Sequence, residues 1–261
     1  MIVDGFPDRE ITINNKQYLY FGGTSYLGIA SHPIFQETLI KSIKKWGTSY
    51  GSSRNANIKL AVYDEAEQLF SKQIGAEASV TVSSGTLAGN LVLKCLSKTN
   101  PTFYHYPKTH PAILFRESLP LFLDGKLHPN LLNNTSEEIV ITADTMLSLE
   151  VKPTSFEFLN EISPQKKITL VLDESHSLGI VGKKGTGVFS TISNKNLDMK
   201  IMISSLGKAL GLSGGIIAAD KDFIETIKNE ANFISASGAN PAYLDAYYNT
   251  QEVYKIQRKK L

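Results

Sequence analysis

The segments that most restrict the fold are "EEIVITAD" and "ITLVLD", because both carry apolar residues at consecutive positions. A strand with one face in water alternates apolar with polar residues, whereas a strand covered on both faces does not need to. Each segment therefore reads as a strand of a parallel sheet sandwiched between helices. Other short β-rich runs read the same way: Gln17–Phe21, Ser79–Val82, Thr102–Tyr106, Ile201–Ser204 and Gly215–Ala219, beside Ile139–Ala143 and Ile168–Leu172 within the two quoted segments. Helical spacing fills the intervals at Ile34–Trp46, Val62–Ile74, Leu87–Leu96, Phe156–Ile162 and Phe223–Phe233. Alternating β and α units predict an α/β fold, a mainly parallel seven-stranded sheet with helices on both faces. Pro107–Thr135 has no clear period, and "PAYLDAYYNTQEVYKIQRKKL" from Pro241 reads as one long helix with no glycine cap, as at a truncated end.

With 261 residues, 42% of them hydrophobic, the chain can bury one large domain or two modest ones. A formal charge of +2 with 20% charged residues gives no footprint for nucleic acid or an anionic membrane. The basic run Lys255–Lys260 reads as the solvated face of a helix. Cys95 is the only cysteine, so no intrachain disulfide can form, and it falls in an apolar run that suits a small core residue. The N-terminus lacks the apolar core of a secretion signal, and no apolar run approaches the ~20 residues of a membrane helix. The expectation is a soluble, cytoplasmic protein.

Sheets of this kind bind ligands beyond the carboxyl ends of their strands, so the residues following each strand carry the chemistry. After Val82 comes "SSGTLAGN", where the amides of Gly85, Thr86 and Leu87 and the hydroxyls of Ser84 and Thr86 would form a phosphate cradle at a helix start. Taken alone, that start is equally a helix cap. After Leu172 comes "DESHSLG", with Asp173 at the strand tip and His176 three residues on. A strand-end Asp by itself often caps the next turn. After Ile201–Ser204 comes "SLGKALGLSGG", in which Lys208 lies among glycines and serines. That lysine is either an amine snorkelling from a turn or a nucleophile. Together the three pieces match what pyridoxal 5′-phosphate requires: a phosphate cradle, a lysine for a Schiff base, and a carboxylate against the pyridine nitrogen. The glycines around Lys208 would leave room for the ring and its phosphate. No metal site is expected.

At these motifs, with "TSYLGIASHP" (Thr24–Pro33) and "GSSR" (Gly51–Arg54), the chain resembles the α-oxoamine synthase family of fold-type I pyridoxal-phosphate enzymes, the group of 8-amino-7-oxononanoate synthase and glycine C-acetyltransferase. The resemblance runs from about Tyr18 to Leu261. It implies Lys208 as the Schiff-base lysine, Asp173 as partner of the pyridine nitrogen, and His176 as partner of the phenolic oxygen or the substrate. It implies further that His110, in "KTHPAI", stacks on the ring, that Ser148 lies near the ring oxygen, and that Ser205 touches the phosphate. Ser237, in "SASGANPA", would reach the phosphate of a neighbouring subunit, hence a homodimer with shared sites. The implied reaction condenses a small amino acid with an acyl-CoA or acyl-carrier-protein thioester, with decarboxylation; an oxononanoate synthase would serve biotin biosynthesis. A class I/II aminotransferase and an inactive cofactor-binding fragment are the alternatives. The implied layout is an N-terminal segment (1–45), a cofactor-binding large domain (46–240) and the start of a helix (241–261) leading to a missing C-terminal domain. Departures from the family pattern are Thr24-Ser25 for Asn-Asp, Tyr63 for a histidine, and Glu150 followed by Val151 where the family has an acid followed by glycine.

Overall fold

The computed structural model describes residues 2–261. The chain opens with a hairpin of β1 (Glu10–Ile13) and β2 (Lys16–Leu19), then helices α1 (Pro33–Trp46) and α2 (Ala61–Ile74). Next come β3 (Ala78–Val82), α3 (Gly85–Leu96), β4 (Thr102–His105), β5 (Leu119–Pro120), and a small hairpin of β6 (Phe122–Leu123) and β7 (Lys126–Leu127). The long strands β8 (Glu137–Asp144), β9 (Lys166–Asp173), β10 (Met199–Ser205) and β11 (Gly215–Ala219) follow. Helices α4 (Lys221–Lys228), α5 (Ala231–Ser235), α6 (Pro241–Asn249) and α7 (Gln251–Arg258) end the described chain.

Among the described residues, one seven-stranded sheet runs in the order β3-β11-β10-β9-β8-β4-β5. The strands from β10 to β5 are parallel, while β11 runs antiparallel to both β10 and β3. The consecutive apolar residues divide between the two faces as a period of two demands. Ile139, Ile141, Leu170, Leu172 and Met202 pack with Phe35 of α1, Phe70 of α2 and Leu244 of α6. Val140, Val171, Ile201 and Ile203 pack on the other face with Leu91 of α3 and Ile224 of α4. Cys95 is buried in this second layer, and desolvation pushes its thiol up to about 11, which suits packing rather than chemistry. No helix of the described residues is long and apolar enough to cross a membrane.

The seven-stranded, mainly parallel sheet matches the expectation, but its membership differs. The run Gln17–Phe21 supplies β2 of the separate hairpin, not a sheet strand. The seventh strand is β5, inside the stretch without a period; its Pro120 has no N–H to donate and so belongs at an edge. The helix expected at Phe156–Ile162 is one 3₁₀ turn, Glu157–Asn160. The one expected at Phe223–Phe233 is cut at Asn229, whose side chain and backbone N–H both donate to the Glu225 carbonyl. The single helix expected from Pro241 bends at Thr250, where Thr250 Oγ1 donates back to the Ala246 carbonyl at 2.6 Å and separates α6 from α7.

Candidate active site

Three neighbouring strands end side by side. In the register, Asp144 at the end of β8 stands opposite Asp173 at the end of β9, and Asp173 stands opposite Ile203 of β10. Asp173 is 3% exposed. Its Oδ1 accepts the Ser175 N–H at 2.8 Å, and Oδ2 has no hydrogen-bond partner among the described residues. Ser175 Oγ in turn accepts the Ser205 N–H at 2.8 Å, tying the turn after β9 to the end of β10. The chain then brings Lys208 back over the same strand ends, where its Nζ lies 2.8 Å from His176 Nε2. On the other side of the imidazole, the Tyr26 hydroxyl lies 2.6 Å from Nδ1.

Burial governs the protonation of this group. It lowers the Lys208 pKa, with Asp173 and Asp144 opposing it more weakly. It also lowers that of His176, and the Lys208 charge acts in the same direction. The Asp144 carboxyl is pushed up to about 7, first by desolvation and then by the neighbouring Asp173 charge. A lysine held toward its neutral form is a nucleophile, and a buried carboxylate with a free oxygen can meet a cationic ring nitrogen.

The start of α3 adjoins this group. Ser84 caps the helix, its Oγ accepting the Leu87 N–H at 3.1 Å. The Leu87 amide is therefore committed to the cap, and the amides left without a partner within the helix are those of Gly85 and Thr86. A Cβ on Gly85 would fall 2.9 Å from the backbone of Ser205, and one on Gly215 would fall 2.2 Å from the Ser84 carbonyl oxygen. These two glycines let the helix start, the end of β10 and the start of β11 touch. Room for a ring is not what Gly211 and Gly215 provide: backbone and side-chain atoms fill the space beside them, whereas Gly207 is exposed.

Of the remaining sequence candidates, His110 comes to the mouth of the group. Its N–H donates to Asp144 Oδ2 at 2.8 Å, and its Nδ1 accepts the Ala112 N–H at 3.1 Å. Ser148 lies on the exposed loop after β8, and Ser237 on the exposed loop after α5; neither hydrogen-bonds to the group among the described residues. The structure adds Asp144, Ser175 and Tyr26. Asp144 had a signal, since "EEIVITAD" ends in Asp just as "ITLVLD" does. Tyr26 lies 150 positions from His176, and no spacing rule joins them.

Residues 152–260 match the family model described as aminotransferase class I and II. The chain is 28% identical over 244 residues to a serine palmitoyltransferase of Sphingobacterium spiritivorum, covering 89% of this chain and 60% of that protein. It is 25% identical over 255 residues to a putative 8-amino-7-oxononanoate synthase of Thermodesulfovibrio yellowstonii, covering 94% and 65%. The chain thus spans somewhat less than two thirds of the length of these curated relatives. Among solved structures, a serine palmitoyltransferase from S. paucimobilis superposes with a TM-score of 0.81 at 15% identity, over 99% of this chain and 67% of that one. An 8-amino-7-oxononanoate synthase from Francisella tularensis gives 0.67 at 25% identity, over 92% and 68%. The residues present fit pyridoxal 5′-phosphate: a desolvated amine, a buried carboxylate with an unpartnered oxygen, and free helix-start amides lie together at the carboxyl ends of the sheet strands. By its fold and its relatives, the chain is similar to pyridoxal-phosphate enzymes of the α-oxoamine synthase group, and its residues 152–260 carry the aminotransferase class I and II match.

Proposed function

We propose that the chain holds pyridoxal 5′-phosphate on Lys208 and forms the cofactor centre of an acyltransferase that condenses a small amino acid with an acyl thioester, with decarboxylation. The observation that carries this reading is Lys208 Nζ at 2.8 Å from His176 Nε2, beside the buried Asp173. When bound, the cofactor supplies an electron sink for charge at the α-carbon. The rest is done by the chain. Lys208 would hold the cofactor through its neutral Nζ, and that amine, when free, would accept the α-proton of the amino acid. Asp173, whose Oδ2 has no partner among the described residues, would hold the ring nitrogen and favour a positive charge on it. His176 would hold the phenolic oxygen or the substrate, and His110 would pack against the ring. The Gly85 and Thr86 amides, with the Ser84, Thr86 and Ser205 hydroxyls, bind the phosphate at the positive end of α3.

In this reading residues 46–240 form the cofactor-binding unit, Ser148 approaches the ring oxygen, and Ser237, on its exposed loop, serves a second copy in a homodimer. The acyl donor is an acyl-CoA or acyl-carrier-protein thioester. Relatives named for serine and for oxononanoate chemistry stand at similar identity, so the reading extends to the reaction class. The test mixes the loaded protein with a panel of small amino acids and acyl-CoA thioesters and follows thiol release. Release that depends on both substrates is expected. Conversion of a 2-oxo acid without thiol release would assign an aminotransferase instead, and full loading with neither activity would assign a cofactor-binding fragment.

A further inference from the structure

The Tyr26 hydroxyl has one hydrogen-bond partner among the described residues, His176 Nδ1 at 2.6 Å. A phenol is protonated near neutral pH and burial raises its pKa further, so its O–H is available to donate to Nδ1. With that O–H donated, Nδ1 accepts and a neutral imidazole carries its proton on Nε2. The atom 2.8 Å beyond Nε2 is Lys208 Nζ. An N–H on Nε2 needs an acceptor, and an amine offers a lone pair only when neutral. A protonated lysine would force the opposite arrangement: Nε2 accepting, Nδ1–H donating to the phenol oxygen, and the phenol proton left without a partner.

We propose that Tyr26 is a positioning residue that fixes His176 in its Nε2–H tautomer and, through it, holds Lys208 as the neutral amine. The proposal rests on the reading of Lys208 as cofactor anchor for its consequence, but its geometry belongs to the chain alone. Groups facing His176 from the other elements are Asp173 at the end of β9, Lys208 after β10 and His110 after β4, and Asp144 acts on Lys208. Of these, Asp173 favours a charged imidazole, against the tautomer that Tyr26 imposes.

The test uses the full chain before cofactor is added. Nitrogen NMR of the His176 ring reports the tautomer, and the Lys208 Cε resonance, assigned with Lys208→Arg, reports the amine titration. The wild type is expected to show Nδ1 bare and Nε2 protonated at pH 8. Tyr26→Phe, which keeps the ring, should mix the tautomers and raise the Lys208 midpoint by about one pH unit, a tenfold fall in neutral amine. In a His176→Asn background, Tyr26→Phe should leave the Lys208 midpoint where His176→Asn alone puts it. An unchanged tautomer and midpoint in Tyr26→Phe overturns the proposal, as does an equal shift in the His176→Asn background. Amide spectra of each variant establish that the fold is retained. Because no cofactor is present, these outcomes are independent of whether Lys208 anchors it.

Discussion

Two clusters of buried charge lie on this sheet, and they are built differently. In the first, Arg54 Nη1 and Nη2 donate to Glu67 Oε1 and Oε2 at 2.9 and 3.2 Å. Oε1 also accepts the Thr81 N–H and hydroxyl, each at 2.7 Å, and the guanidinium lies 3.7 Å over the Tyr63 ring. Both charges are paired, and both carboxylate oxygens are in use. In the second, Lys208 has an imidazole as its hydrogen-bond partner, Asp173 keeps an oxygen free, and Asp144 is held up near neutrality. A cluster with its valences filled stabilises a fold. One that leaves valences open and shifts protonation is equipped to bind and react.

The contrast breaks most sharply under substitution of the cations. Arg54→Met strands the Glu67 carboxylate in the interior and should cost ~3–5 kcal/mol. Lys208→Met removes a desolvated amine and should leave the stability of the cofactor-free chain equal or higher. Urea unfolding of both variants checks this, and equal losses would erase the distinction between the clusters. Asp144 sharpens it through pH. Its proton is held more tightly in the fold than in the unfolded chain, where the carboxyl titrates at 3.8. That contribution is fully present below about pH 4 and is lost as pH rises through about 7, on the order of 4 kcal/mol across the range. Asp144→Asn should abolish this slope, so its stability relative to wild type rises between pH 4 and 7 in denaturant titrations. Parallel curves would show that Asp144 is ionised throughout.

Smaller effects test the joint between helix start and strand end. Gly85→Ala drives a Cβ to 2.9 Å from the Ser205 backbone and should cost ~1–3 kcal/mol, with weaker phosphate binding by titration calorimetry. Ser84→Ala removes the cap from the Leu87 amide, for a loss of about 1 kcal/mol in thermal unfolding.

The parts of the fold legible in the sequence are those set by local pattern. Consecutive apolar residues in β8 and β9 announce strands covered on both faces, and the structure splits them between two cores. What escaped was set by tertiary context. β5 is two residues long and contains a proline, so no period marks it; it exists because β4 offers it an edge. The bend at Thr250 follows from one side-chain bond back to Ala246, invisible in a helical pattern. The site divides the same way. Asp173, His176 and Lys208 follow strand ends, where a parallel sheet places its ligand residues, and they do converge. Asp144 joins them through the register of β8 against β9, and Tyr26 through a contact across 150 positions. The commitment of the Leu87 amide to Ser84 is likewise a matter of cap geometry, which a Ser-Gly-Thr sequence leaves open.

The central claim is that Lys208 is the covalent anchor. Incubating the chain with pyridoxal 5′-phosphate, reducing with borohydride and mapping the modified peptide by mass spectrometry tests it directly. A single stable adduct on Lys208, absent from Lys208→Met, is the predicted result. An adduct on another of the chain's lysines, or none at saturating cofactor, would contradict it.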